Sequence, residues 1–123
     1  DDAYLIDLAQ SWYRPAYIIG PAAVDGGYGD EDVYYEGYSF SERAYLFRKI
    51  RGEKVSFLMI PPVDVINPVF RITGWNTSSA SILLDKYPLD SKDFRIQLKG
   101  KDLLIWINKR ISNKTMIEII EIE

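Results

Sequence analysis

Cysteine and histidine are both absent from the 123 residues. Their absence excludes thiol nucleophiles, disulfides, Ser-His-Asp relays, haem ligation and the usual zinc sites, which is most of the common catalytic apparatus. Long hydrophobic runs are also lacking. The longest, such as Leu103 to Ile107, has the length of a strand and falls far short of the roughly 20 residues a membrane-spanning helix needs, so membrane insertion is not expected. No basic excess is present either: 15 Lys and Arg are scattered among 18 acids, for a net charge of −3, which argues against nucleic acid as a partner. The chain opens on Asp1-Asp2, with neither an initiating Met nor a signal peptide, which reads as an excised piece of something longer in preference to a mature form after processing.

What is present belongs to a single folded domain. Apolar residues make up 47 % and charged residues 27 %, the balance of a chain that can bury a core. β-Branched and aromatic residues recur in short runs separated by Gly, Pro, Asn and Asp. In Phe94-Arg95-Ile96-Gln97-Leu98-Lys99 the apolar residues point one way and the polar ones the other. A turn at Gly100-Lys101-Asp102 then joins this run to Leu103–Ile107 as a hairpin, whose second strand is apolar on both faces and so belongs in the interior of its sheet. Further strands are expected at Ala44–Lys49, Val55–Ile60, Val69–Thr73, Ala80–Leu84 and Thr115–Ile122, with Arg51-Gly52-Glu53-Lys54 as a second hairpin turn. In the last strand, Ile117 and Ile119 share one face and Ile120 and Ile122 the other, which predicts a bulge or two-sided burial. The prolines of Pro61-Pro62 and Asn67-Pro68 bracket a connection that cannot sit inside a sheet and should carry the chain between sheets. Only Ala3–Gln10 has a helical pattern, so residues 1–10 read as a linker or N-terminal extension and residues 11–123 as the domain. The expected fold class is all-β, a two-sheet antiparallel β-sandwich of about eight strands.

The stretch DGGYGDEDVYYEGYSF, residues 25–40, concentrates five acids, four tyrosines and four glycines. Tyrosine and tryptophan rings can stack on the apolar faces of sugars while acids bond the hydroxyls. Tyr28, Tyr34, Tyr38 and Trp75 are therefore the candidate stacking groups, with Asp30 and Glu36 as polar partners. The competing reading puts Val33 and Tyr35 in a strand on the core and the rest in a solvated loop. Asp25, Asp30, Glu31 and Asp32 offer oxygen ligands that calcium accepts, but not in the D-x-[DN]-x-[DN]-G order, so no metal and no cofactor is assigned. A glycosidase would need two carboxyl groups flanking a cleft, and no such pair is singled out, so the chain is read as a non-enzyme. Trp106 is expected in the core, Trp12 at the sandwich edge, and Arg71 and Arg95 on outward faces where they could clamp a carboxylated sugar.

Ile66-Asn67-Pro68-Val69-Phe70-Arg71-Ile72-Thr73-Gly74-Trp75, then Ala80–Lys86, Asp93-Phe94-Arg95 and Leu103–Ile107, together resemble the C-terminal β-sandwich accessory domains of large secreted bacterial polysaccharide-degrading enzymes. The chain departs from that pattern in having Asp85-Lys86-Tyr87 at an expected Gly-Lys turn. The resemblance, over residues 66–107, implies a secreted, periplasmic or cell-surface location and a supporting or glycan-contacting role beside a catalytic neighbour. The partners so implied are a polysaccharide and a neighbouring domain of a longer chain. The alternative is a purely structural or protein–protein interaction domain, whose exposed aromatics bury against such a neighbour.

Overall fold

The computed structural model describes residues 1–20 and 32–123. Tyr28 and Asp30, together with Asp25 and Glu31 of the calcium reading, lie outside the described residues.

Helix α1 spans Asp2–Tyr13. Asp1 caps it, its carboxylate accepting the Tyr4 N–H at 2.9 Å, and Asp2 in the first turn complements the helix dipole. Pro15, which has no N–H to offer, ends any continuation. The boundary expected at residue 10 thus falls inside the helix, and the helix is tied to the strands: Ser11 Oγ accepts the Ile66 N–H at 3.0 Å, and Asp7 pairs with Arg110. No helix among the described residues is long and apolar enough to cross a membrane.

Twelve strands follow among the described residues: β1 Tyr17–Ile19, β2 Val33–Ser39, β3 Ala44–Lys49, β4 Lys54–Ile60, β5 Val65–Ile66, β6 Val69–Thr73, β7 Ser79–Leu84, β8 Tyr87–Pro88, β9 Phe94–Lys99, β10 Asp102–Ile107, β11 Arg110–Ile111 and β12 Thr115–Ile122. They form a first five-stranded sheet in the order β1-β4-β12-β7-β8, a second in the order β2-β3-β6-β10-β9, and a two-stranded sheet β11-β5. The all-β class is as expected, whereas the count of about eight strands in two antiparallel sheets is corrected to twelve strands in three sheets. The added strands are two or three residues long, too short to show an alternation. β3 and β6 also run parallel. The chain leaves β3 for the other sheet and returns through β5, and such a crossover lets β6 arrive in the same direction as β3.

For the same reason Arg51–Lys54 is not a hairpin turn. β3 pairs with β2 and β6 while β4 pairs with β1 and β12, so this turn crosses between the sheets. The Pro61–Pro68 connection does so too, as expected, and β9–β10 is the expected hairpin, with Leu98 opposite Leu103. β12 is central in its sheet and keeps an unbroken register with both neighbours, so its broken alternation reflects two-sided burial rather than a bulge.

The two larger sheets meet through aromatic rings. Phe47 of β3 and Phe57 of β4 stack with centroids 4.6 Å apart, and Phe57 and Phe70 of β6 lie at 5.4 Å. Tyr45 extends this cluster towards α1, its hydroxyl accepting the Ala16 N–H at 2.8 Å. Burial, with a smaller push from Tyr38, raises the Tyr35 phenol to about 12, and burial raises Tyr45 further despite the opposing Ala16 hydrogen bond. Both phenols stay neutral in the folded chain at a pH where an unfolded one, with its ordinary value of 10.0, ionises. Their contribution to stability is complete below pH 10; that of Tyr35 is lost as pH climbs towards about 12, and that of Tyr45 at higher pH still. The urea midpoint should therefore drop across that window, and drop less in Tyr35→Phe. Parallel alkaline profiles for the two proteins would refute the assignment.

Candidate functional site

The outer face of the second sheet follows from the alternation of its strands. Leu103, Ile105 and Ile107 of β10 point into the core, so Asp102, Leu104 and Trp106 point out. Register places Trp106 between Val69 of β6 and Arg95 of β9. The Arg95 guanidinium sits over the Trp106 indole, 4.6 Å from the ring centre. At the opposite corner of the same face, Arg48 lies 4.9 Å from the Tyr34 ring centre and 3.3 Å from the Glu36 carboxylate, so Tyr34 and Glu36 are joined through one arginine. Two aromatic–arginine pairs thus mark opposite corners of one sheet face.

Tyr38 is not on that face. A bulge between Tyr35 and Gly37 inserts one residue into β2, and Tyr38 turns to pack on Tyr45 at 4.8 Å and Phe40 at 5.2 Å. There it lines a cleft of about 380 Å³ between α1 and the strands, with Tyr4, Trp12, Arg43 and Asn67. The Arg43 guanidinium lies 3.5 Å from the centre of the Trp12 ring. A second depression, of about 320 Å³, holds Lys92, Phe94, Arg95, Trp106 and Asn108, and Asn67 borders it as well. The two hollows therefore share a wall at Asn67. Arg43 and Asn67 both hold left-handed backbone, with φ of 54° and 51°. Asn tolerates that region, but for Arg it is an uncommon conformation, retained at the rim of the larger hollow.

Trp75 is the candidate that the structure removes. It is 1 % exposed, its indole N–H donating to the Ser79 carbonyl at 3.3 Å, and no ligand can stack on it. Alternation stops at Thr73. Gly74, at φ 84°, then turns the backbone so that Trp75 re-enters between the sheets. Trp106, expected in the core, lies outside instead. Of the expected residues, Tyr34 and Glu36 come together on the outer face and Tyr38 lines the cleft. Trp12, Arg43, Asn67 and Trp106 were missed as site residues. Only Trp106 left a signal: in a hairpin that sets Leu98 opposite Leu103, the fourth residue after Asp102 must share the outward face of Arg95.

The acids of this region are committed to partners. Glu42 binds Arg71 in a bidentate pair at 2.9 and 3.1 Å, which holds the Arg71 guanidinium above its usual range and occupies one of the two proposed sugar clamps. Asp32 pairs with Arg51 at 2.6 Å. Elsewhere, burial pushes the Glu118 carboxyl up, but the ammonium groups of Lys86 and Lys54 outweigh it and leave it below the usual carboxylate range. Its Oε1 lies 3.1 Å from Lys86 Nζ. Among the described residues no group of three or more acidic side chains could hold a metal ion. Searches against protein-family models, curated proteins and solved structures find no match to this chain.

Proposed function

We propose that this chain is a non-catalytic accessory module of a secreted or surface bacterial protein, with its two larger sheets as the layers of a sandwich, and that it contacts carbohydrate. The observation that carries this reading is Trp106 held on an outward sheet face under Arg95, in a hollow that shares Asn67 with the one lined by Trp12. An indole with a guanidinium over it, in a hollow also lined by Asn67 and Asn108, sets apolar surface beside N–H donors, which suits a sugar with its apolar face and edge of hydroxyls. The non-catalytic part draws support from the missing Cys and His, and from a buried carboxylate at Glu118 that two lysines keep charged and so unsuited to donating a proton. Affinity electrophoresis through gels containing a panel of polysaccharides should retard the chain, and Trp106→Ala should lower the apparent affinity about tenfold, the stacking contribution of an aromatic side chain. A panel that leaves mobility unchanged throughout would end this reading.

A second reading, packing on a neighbouring domain, has its own support on the outer face of the first sheet. Tyr17 of β1 is 66 % exposed beside half-buried Ile60, and Leu58 and Met116 continue an apolar strip across β4 and β12. A contiguous strip of this kind is what an inter-domain contact covers. Self-association of the isolated chain, relieved by Leu58→Lys, would favour this reading over the first.

A further inference from the structure

We infer that the two neighbouring hollows at Trp12 and Trp106, which share Asn67, together select acidic polysaccharides, binding carboxylate or sulfate groups through Arg43 and Arg95. This rests on the carbohydrate reading above and adds the charge of the ligand. The chain carries a net charge of −3, yet among the described residues Arg43, Lys92 and Arg95, all lining the two hollows, make no ion pair. Glu42, which lines the larger hollow, is taken by Arg71, and Asp93 lies 3.5 Å from Lys109, while the Asp90 carboxylate accepts the Lys92 backbone N–H at 3.0 Å and lines neither hollow. An excess of cations in a concave site attracts and retains anions.

The arginines are also held for this purpose. Each guanidinium rests on an indole, at 3.5 Å for Arg43 on Trp12 and 4.6 Å for Arg95 on Trp106. Stacking fixes the plane while leaving the N–H edges free, and a fixed planar fork binds a carboxylate or sulfate with little further loss of freedom. The spacing suits a chain rather than a single sugar. Arg43 precedes β3, and β6, β10 and β9 lie beyond it in order, so three strand spacings of about 4.8 Å set the two arginines' backbones roughly 14 Å apart. Asn67, between the hollows, supplies an uncharged amide for hydroxyls along the way.

Affinity electrophoresis at low ionic strength, with polygalacturonate, dextran sulfate and the neutral polymer hydroxyethyl cellulose, tests this. An anionic polymer should bind at least about tenfold more tightly than the neutral one, and the difference should shrink as added salt screens the charges. Which anionic polymer is retained tells carboxylate from sulfate. Arg43→Gln and Arg95→Gln, each checked for an unchanged circular dichroism spectrum, should each lose about tenfold on the anionic polymer and distinctly less on the neutral one, where glutamine still offers an N–H donor to hydroxyls. Equal retention on neutral and anionic polymers would overturn the charge selection and leave the carbohydrate reading standing. No retention on any polymer would overturn both.

Discussion

Gly74→Ala should lose about 2–5 kcal/mol of stability, enough to remove much of what holds a domain of this size together. The backbone at Gly74 has φ of 84°, where an L side chain costs about 1–2 kcal/mol. A methyl group there would also sit 2.1 Å from the Lys49 carbonyl oxygen and 3.2 Å from its carbon. Those are backbone atoms at the end of β3, and they cannot swing aside as a side-chain tip would. Relieving the overlap means displacing β3 or the turn, at the cost typical of an overpacked core, about 1–3 kcal/mol. Gly52 is the control. It also has positive φ, at 91°, but an added methyl meets nothing within 4 Å, so Gly52→Ala should lose only about 1–2 kcal/mol. Urea unfolding of the two variants decides the matter, since equal losses would show that conformation alone, and not the close approach to Lys49, sets the cost at Gly74.

The same glycine explains one misreading of the sequence. Where a run of β-branched and aromatic residues was bounded by turn residues, the strand was legible: Ala44–Lys49, Val69–Thr73, Phe94–Lys99 and Thr115–Ile122 have the bounds their composition indicated. Alternation describes one strand at a time, and it is silent on where a strand ends in a turn. Extrapolating the Phe70–Ile72 face to Trp75 ran across Gly74, and Trp75 went inward. In Leu103–Ile107 every residue is apolar, so nothing in the strand itself said which set faced out, and the pairing with β9 had to decide it. Sheet membership was equally hidden. Arg51–Lys54 has the composition of a hairpin turn, but the strands on either side bury their apolar faces against each other across the core instead of pairing edge to edge. The two hollows were the least legible part, because Trp12, Arg43, Asn67 and Trp106 come to their linings from four separate segments by long-range pairing. The bulge that turns Tyr38 away from Tyr34 and Glu36 had no local marker except Gly37, whose φ is 106°.

Lys49→Met should cost about 3–5 kcal/mol, although it replaces a charged side chain with an apolar one at a core position. Lys49 follows Tyr45 and Phe47 on the inward face of β3, and its side chain is 0 % exposed. Its ammonium group lies 2.9 Å from the Glu121 carboxylate and donates to the Gly52 carbonyl at 2.7 Å. Glu121, on β12 of the other sheet, is itself only 8 % exposed and also accepts the Asn76 N–H at 3.2 Å. Removing the lysine leaves that carboxylate buried with a single long hydrogen bond, and the uncompensated charge dominates any gain from apolar packing. The double variant Lys49→Met, Glu121→Met removes both charges and should recover most of the loss, so the two substitutions should couple strongly in a urea-unfolding cycle, by about 2–3 kcal/mol. Simple additivity, or a Lys49→Met chain as stable as the original, would show that the pair carries little. The pair also has a place in the fold: it ties β3 of the second sheet to β12 of the first where Trp75 enters, with Lys49 Nζ 5.9 Å from the indole centre. If it serves to fix that arrangement and not merely to add stability, the double variant should fold with Trp75 less uniquely packed, seen as a weakened near-ultraviolet circular dichroism signal at nearly native stability.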